Sequence, residues 1–319
     1  MEILSKTGVN RPSDRRCRLA LLALAALAFW PILQRAASLP APVEQERNNL
    51  LNNPWDPAKL YAILTAQDPG ASENLYRAAF AAGPAITPKL ESALNDDRTA
   101  EFAAQTLAYF GNDQSLAILE KLVKDPRDLD LRRFYYGALG GSGNPHNTEI
   151  LLNKVLASDH EPDREVTQNA ILALSISADA ALVPRLRQAQ MQITDPVIQD
   201  DIETAAMVVE LRARFMATPA GKSSGNSVEQ TIRSYFMPAL EPPPAAGGAS
   251  QQNAGVEVHV KDLTYSPETT RVLAGADFEN PEALASYHVV LEKSRAEWRV
   301  ASVWLAEERE KPQSRAPQK

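Results

Sequence analysis

The hydrophobic pattern changes period once along the chain. Up to about residue 215, apolar residues recur three and four positions apart, the spacing of one helical face; beyond residue 256 they alternate, the spacing of a strand. Within the helical region the apolar runs stop at regular places. Gly83 ends "LYRAAFAA", Gly111 ends "AAQTLAYF", Gly143 follows "YYGALGGS" and Ser177 follows "ILALSI". Glycine there permits the left-handed residue that closes a helix. After each stop comes a second apolar segment: "AITPKLESALND", "QSLAILEKLVKD", "NTEILLNKVLASD" and "ADAALVPRLRQA". Leu116, Leu119, Leu122 and Val123 share one predicted face, as do Ile150, Leu151, Val155 and Leu156. Three of these second helices finish on Asp96, Asp125 and Asp159.

The stops fall about 28, 32 and 34 residues apart, the interval of helical repeats. A two-helix unit cannot cover its own apolar side, whereas stacked copies cover one another and share a continuous core. The phrases "LAYFGNDQSLAILEKLVKD" and "GALGGSGNPHNTEILLNKVLASD" resemble HEAT-like repeats, particularly the short kind of phycobilin-lyase-type proteins. The resemblance spans Leu75 to Gln190, with Asp56 to Pro69 and Asp195 to Phe215 as end caps; Ile198, Ile202, Ala206 and Val209 form the apolar stripe of the last helix. Tetratricopeptide repeats have a similar period but require tryptophan, and none occurs between Trp55 and Trp298. The "TPLHxA" phrase of ankyrin repeats is missing too, and a non-repeating helical bundle is the remaining alternative.

"MATPAGKSSGNS", residues 216–227, reads as a flexible joint, after which the language changes. "VEQTIRSYFMPAL" is an amphipathic helix, "EPPPAAGGASQQNAG" is a low-complexity loop, and four alternating runs follow, ending in "ALASYHVVLEKS" and "EWRVASVWLAEE". Val256, Val258 and Val260 point to one side of the first strand; Trp298, Val300 and Trp304 are expected to share a face of the last. The outline resembles the C-terminal half of the nuclear transport factor two-like, or ketosteroid-isomerase-like, cone fold, carried by "VEQTIRSYFMPAL" and "ASYHVVLEKSRAEWRVASVWL". The fold expected is therefore a two-domain chain: an all-α superhelical HEAT-like array, then a small α+β domain with a curved antiparallel sheet. Its divisions are 1–38 signal peptide or signal anchor, 39–55 linker, 56–217 repeats, 218–227 linker, 228–308 cone-like domain and 309–319 disordered tail.

The N-terminus adds a location. Arg15, Arg16 and Arg18 precede an uncharged apolar run over residues 19–33, the layout of an export signal. At about 15 residues the run is short of the roughly 20 that span a bilayer, which favours a removable signal cut before Leu39. Arg35 beside the cut and Pro31 at the end of the run keep an uncleaved inner-membrane anchor open. The expected location is periplasmic or cell-envelope. Cys17 is the one cysteine, so no intrachain disulfide and no cysteine-based zinc site can form. The formal net charge of −7, with no basic cluster outside the N-terminus, argues against a nucleic-acid partner.

Candidate chemistry is sparse. His146 and His160 fall near repeat turns; His259 and His288 lie on different strands and can share a sheet face, either as surface residues or as an acid–base pair. Asp96, Asp97, Asp200 and Asp201 are paired carboxylates at helix ends, where capping and solvation also use acids. No phosphate loop, serine elbow or metalloprotease phrase occurs, and no cofactor is implied. Phe134, Tyr135 and Tyr136 on one repeat helix are the candidate groove residues, with core packing as the competing role. The HEAT resemblance implies a non-enzymatic scaffold that holds protein partners on its concave face. The cone-fold resemblance implies, as an alternative, a small-molecule-binding or isomerase-like module.

Overall fold

The computed structural model describes residues 39–124, 131–141, 144–236, 257–279 and 283–310. The export segment 1–38, with its apolar run 19–33, lies outside the described residues, as does nearly all of the tail 309–319. Among the described residues, no helix is long and apolar enough to cross a membrane.

Aspartate opens the helices. Asp56, Asp68, Asp96, Asp163 and Asp195 each sit in extended backbone and accept a hydrogen bond from a backbone N–H two residues on. Asp96, expected to end a second helix, thus caps the start of the next one. These caps set α2 (Pro57–Leu64), α3 (Pro69–Ala82), α5 (Asp97–Phe110), α9 (Arg164–Ser175) and α11 (Pro196–Ala217). Between them lie α4 (Thr87–Ala93), α6 (Asp113–Lys124), α7 (Arg132–Gly141), α8 (Asn147–Leu156) and α10 (Leu182–Gln190). Gly83 and Gly111 follow α3 and α5 with φ of 64° and 56°, where a side chain would be strained.

The first helices stack in sequence, α3 on α5, α5 on α7, α7 on α9 and α9 on α11, with the second helices set between them. This is a helical repeat region built as the hydrophobic pattern requires: Leu116, Leu119 and Val123 of α6 and Ile198, Ile202, Ala206 and Val209 of α11 are buried. In α8 the buried face runs through Asn147, Leu151, Lys154 and Val155, so Leu156 points outward, 44% exposed. Each large apolar side chain removed from water contributes roughly 1.5–3 kcal/mol.

The segment 39–55, expected as a linker, instead carries α1 (Ala41–Asn52). Val43 and Leu50 are buried, and the Lys89 ammonium of α4 donates to the carbonyls of Leu50, Leu51 and Asn53 at the helix's open end. The joint 218–227 is also structured, as α12 (Pro219–Ser223) and a 3₁₀ turn over Ser224–Asn226. Thr218 begins it by accepting the Gly221 N–H on its hydroxyl.

The last helix, α13 (Val228–Phe236), precedes a curved four-stranded antiparallel sheet in the order β1 (Glu257–Tyr265), β2 (Arg271–Glu279), β3 (Ala283–Ser294), β4 (Glu297–Glu310). Each strand pairs with its neighbour in sequence, so the connections are hairpins. One face carries Val258, Val272, Ala274, Ala276, Val289 and Leu291 and is filled by Val228, Ile232 and Phe236 of α13. The register of β3 and β4 shifts where Val290 pairs with Ser302 but Leu291 pairs with Val300, leaving Ala301 as an extra residue. That bulge reverses the alternation. Trp298 and Val300 stay with α13, whereas Trp304 turns to the opposite face beside His288, so the three do not share a face as the pattern predicts.

That opposite face rests on the repeats. Leu273 and Val290 pack with Phe80 of α3 and Tyr109 of α5, flanked by Tyr76 and Trp304. Helix α5 is buried nearly all round, because it touches its helical neighbours on some sides and the sheet on another.

Candidate functional site

Two places concentrate polar groups away from water. The first is the seam between α3, α5 and the sheet. His288, 4% exposed, bonds through Nδ1 to the Tyr109 hydroxyl at 2.7 Å and through Nε2 to the Glu73 carboxylate. Gln105 donates from its amide to Tyr109 Oη. One arrangement satisfies every member: Gln105 donates to Tyr109, Tyr109 to His288 Nδ1, and His288 Nε2–H to Glu73. Tyr76 stands edge-on to the imidazole, 5.3 Å between ring centres. Beside this chain, Arg77 of α3 donates to Thr264 at 2.9 Å and pairs with Asp262 at 3.3 Å, both on β1.

The electrostatics follow from burial and charge. Burial pushes the Glu73 carboxyl up, but its hydrogen bond to His288 and the nearby charges of Arg77 and Lys261 outweigh that and leave it below the ordinary glutamate range. Burial drives the Tyr109 phenol well above its ordinary value, so it stays a neutral donor. With Tyr109 fully buried, the chain of bonds fastens the sheet to the repeats.

His288 is therefore a buried joint, where the sequence offered only a sheet surface or an acid–base pair. His259 does share its face, two rows of register away, but is 53% exposed beside Glu257 and Glu279 and does not converge with it. His146 is exposed near Glu120, and His160 is exposed on a turn. Asp96 is a helix cap paired with Arg98, and Asp201 accepts from Gln168 at 2.9 Å. Among the described residues, no group of three or more His, Cys, Asp or Glu is placed to hold a metal ion.

The candidate groove aromatics divide. Tyr135 and Tyr136 of α7 are buried in the repeat core, at 1% and 8% exposure. Tyr136 lies under the Lys154 ammonium, which joins Arg132 on the Glu161 carboxylate in a sequestered ion triad. Phe134 is half-buried, with the Arg133 guanidinium 4.8 Å from its ring centre. The two tyrosines are taken up by packing, leaving Phe134 as the one of the three with accessible surface.

The second place is open. A cleft of about 500 Å³ lies between the later repeats and the C-terminal part, bounded by α8, the end of α9, the end of α11, α13 and the start of β4. This is within the usual size of ligand clefts. Leu174, Ile176, Leu182, Phe215 and Trp298 give it apolar walls, and Asn144, Ser177 and Ser234 give it polar ones. Arg212 of α11 lines it with its guanidinium stacked 4.1 Å over the Tyr235 ring, donating to the Ser175 carbonyl at the end of α9. Burial lowers the Arg212 pKa, and the facing Tyr235 opposes this.

The sequence did carry a sign of this cleft. The buried stripe of α11 runs through Ile198, Ile202, Ala205 and Val209, and the next position in that rhythm is Arg212. A cation falls where the period calls for an apolar residue. No such sign marks Tyr235 or Trp298, whose places depend on how α13 and β4 meet the repeats.

No match to a curated protein was found for this chain. The family model described as HEAT repeats matches residues 87–175, from α4 to the end of α9, so this stretch of the stacked helical pairs is similar to HEAT repeats.

Proposed function

We propose that this chain is a non-enzymatic, protein-binding scaffold, and that it holds its partner in the cleft between the later repeats and the C-terminal sheet. One observation carries the reading. The surface of α3 and α5 that a stacked array would offer to a partner is covered by the chain's own sheet, while the cleft at α8, α9 and α11 stays open with apolar walls. Repeat arrays hold other chains on such extended surfaces. The small-molecule alternative for the C-terminal part finds less support, since among the described residues α13 fills one sheet face and Phe80 and Tyr109 cover part of the other.

A photo-crosslinking residue in place of Ala178, exposed at the cleft, tests this in intact cells. A discrete protein adduct is expected there and not from the same residue at Leu263, exposed on β1. Adducts from Leu263 alone would refute the cleft as the binding surface. Export, the other part of the reading, rests on the sequence of residues 1–38. Sequencing the mature N-terminus distinguishes a chain beginning at Leu39 from an intact one retained in the membrane; an intact chain recovered away from membranes would overturn it.

A further inference from the structure

Among the described residues, the cleft contains a cation with nothing of opposite charge beside it. Arg212 is held flat by the Tyr235 ring and aimed by the Ser175 carbonyl. Among the described residues it makes no ion pair, and no carboxylate contributes to its electrostatics. The other charged groups of the cleft are committed. Arg299 pairs with Glu292 at 3.0 Å, and the Asp179 carboxylate accepts the Ala181 backbone N–H at 2.9 Å. A guanidinium partly removed from water and left without an anion is an incomplete arrangement, and a carboxylate that reaches it gains more than it would at an open surface.

We propose that the cleft reads a carboxylate: its occupant is a peptide segment of a partner protein in which an acidic residue stands among aliphatic ones, and Arg212 takes the acid. This rests on the cleft being the partner site. The guanidinium fork matches a carboxylate with two parallel N–H bonds. Leu174, Leu182 and Phe215 receive aliphatic side chains. A phosphate dianion fits less well, because the second arginine is already paired with Glu292.

The probes are two fluorescein-labelled hexapeptides, ALELLA and its glutamine counterpart ALQLLA, titrated by anisotropy into the full chain. The glutamate peptide is expected to bind at least about tenfold more tightly, the scale of one charge-assisted pair. Arg212→Gln abolishes that preference. Because Arg212 also caps α9, Ser234→Glu is the second variant: it supplies a carboxylate from within the cleft and is expected to weaken the glutamate peptide selectively. Equal binding of the two peptides, or binding of neither at millimolar concentration, overturns the proposal. So does displacement by octanoate at concentrations no higher than the peptide's, which would make the site one for a free amphipathic acid. Self-association that Arg212→Gln abolishes would make a second copy the occupant and overturn it equally. The Ala178 adduct separates the two levels: if it forms in cells while the two peptides bind equally, the scaffold reading stands and the carboxylate reading falls.

Discussion

At the scale of single residues, the line from Gln105 through Tyr109 and His288 to Glu73 joins two parts of the chain far apart in sequence. Its weight is asymmetric, because a buried group left without a partner costs more than the bond contributes. Tyr109→Phe keeps the ring and removes the hydroxyl, stranding His288 Nδ1 and the Gln105 amide; a loss of about 1–3 kcal/mol is expected in chemical denaturation. Glu73 adds a pH dependence. Its folded pKa is lowered, so between the lowered value and the ordinary one the unfolded chain binds more protons and stability rises with pH. The contribution is whole above the ordinary glutamate pKa of about 4.3 and is lost as pH falls through the folded value. Denaturation midpoints measured on acidification should fall less steeply for Glu73→Gln than for the parent. A parallel fall would show that Glu73 carries no such share. The role of His288 was not legible in the sequence. Alternation puts His288 on a face with His259, but it does not say that one stretch of that face lies under two helices and the other in water.

At the scale of elements, packing distances decide what the repeat pattern leaves open. Gly140 lies inside α7, and a Cβ there would come within 2.0 Å of the Ala173 Cβ on α9. This glycine lets two first helices approach closely. Gly140→Ala should therefore destabilise the chain by about 1–3 kcal/mol, against the usual gain in helix propensity, as a lowered thermal midpoint would show. An unchanged or raised midpoint would mean that the two helices can part at no cost. The first and second helices of each repeat were legible because an amphipathic period persists whatever surrounds it. Helix α1 was not, because its buried positions reduce to Val43 and Leu50 among polar residues. The strand bulge at Ala301 was hidden for a similar reason: one inserted residue leaves each half of β4 alternating correctly and reverses only their relation.

At the scale of the whole molecule, the change of sequence language near residue 216 separates two kinds of secondary structure. The described residues from 42 onward nevertheless form one compact unit, and the sheet covers part of the surface that stacked helices alone would expose. Gly111 marks how close the two parts come: a Cβ on that repeat turn would fall 1.9 Å from the Arg271 guanidinium at the start of β2. The functional reading depends on this seating, since it closes one surface of the repeats and leaves the cleft beside Arg212 open. Native-state hydrogen exchange of the intact chain in rising denaturant tests it most directly. The slowest amides of α3, α5, β2 and β3 are expected to converge on one opening free energy, and Tyr109→Phe should lower all four together. Strands that hold their protection while α3 and α5 exchange freely would show two independent bodies and contradict the account.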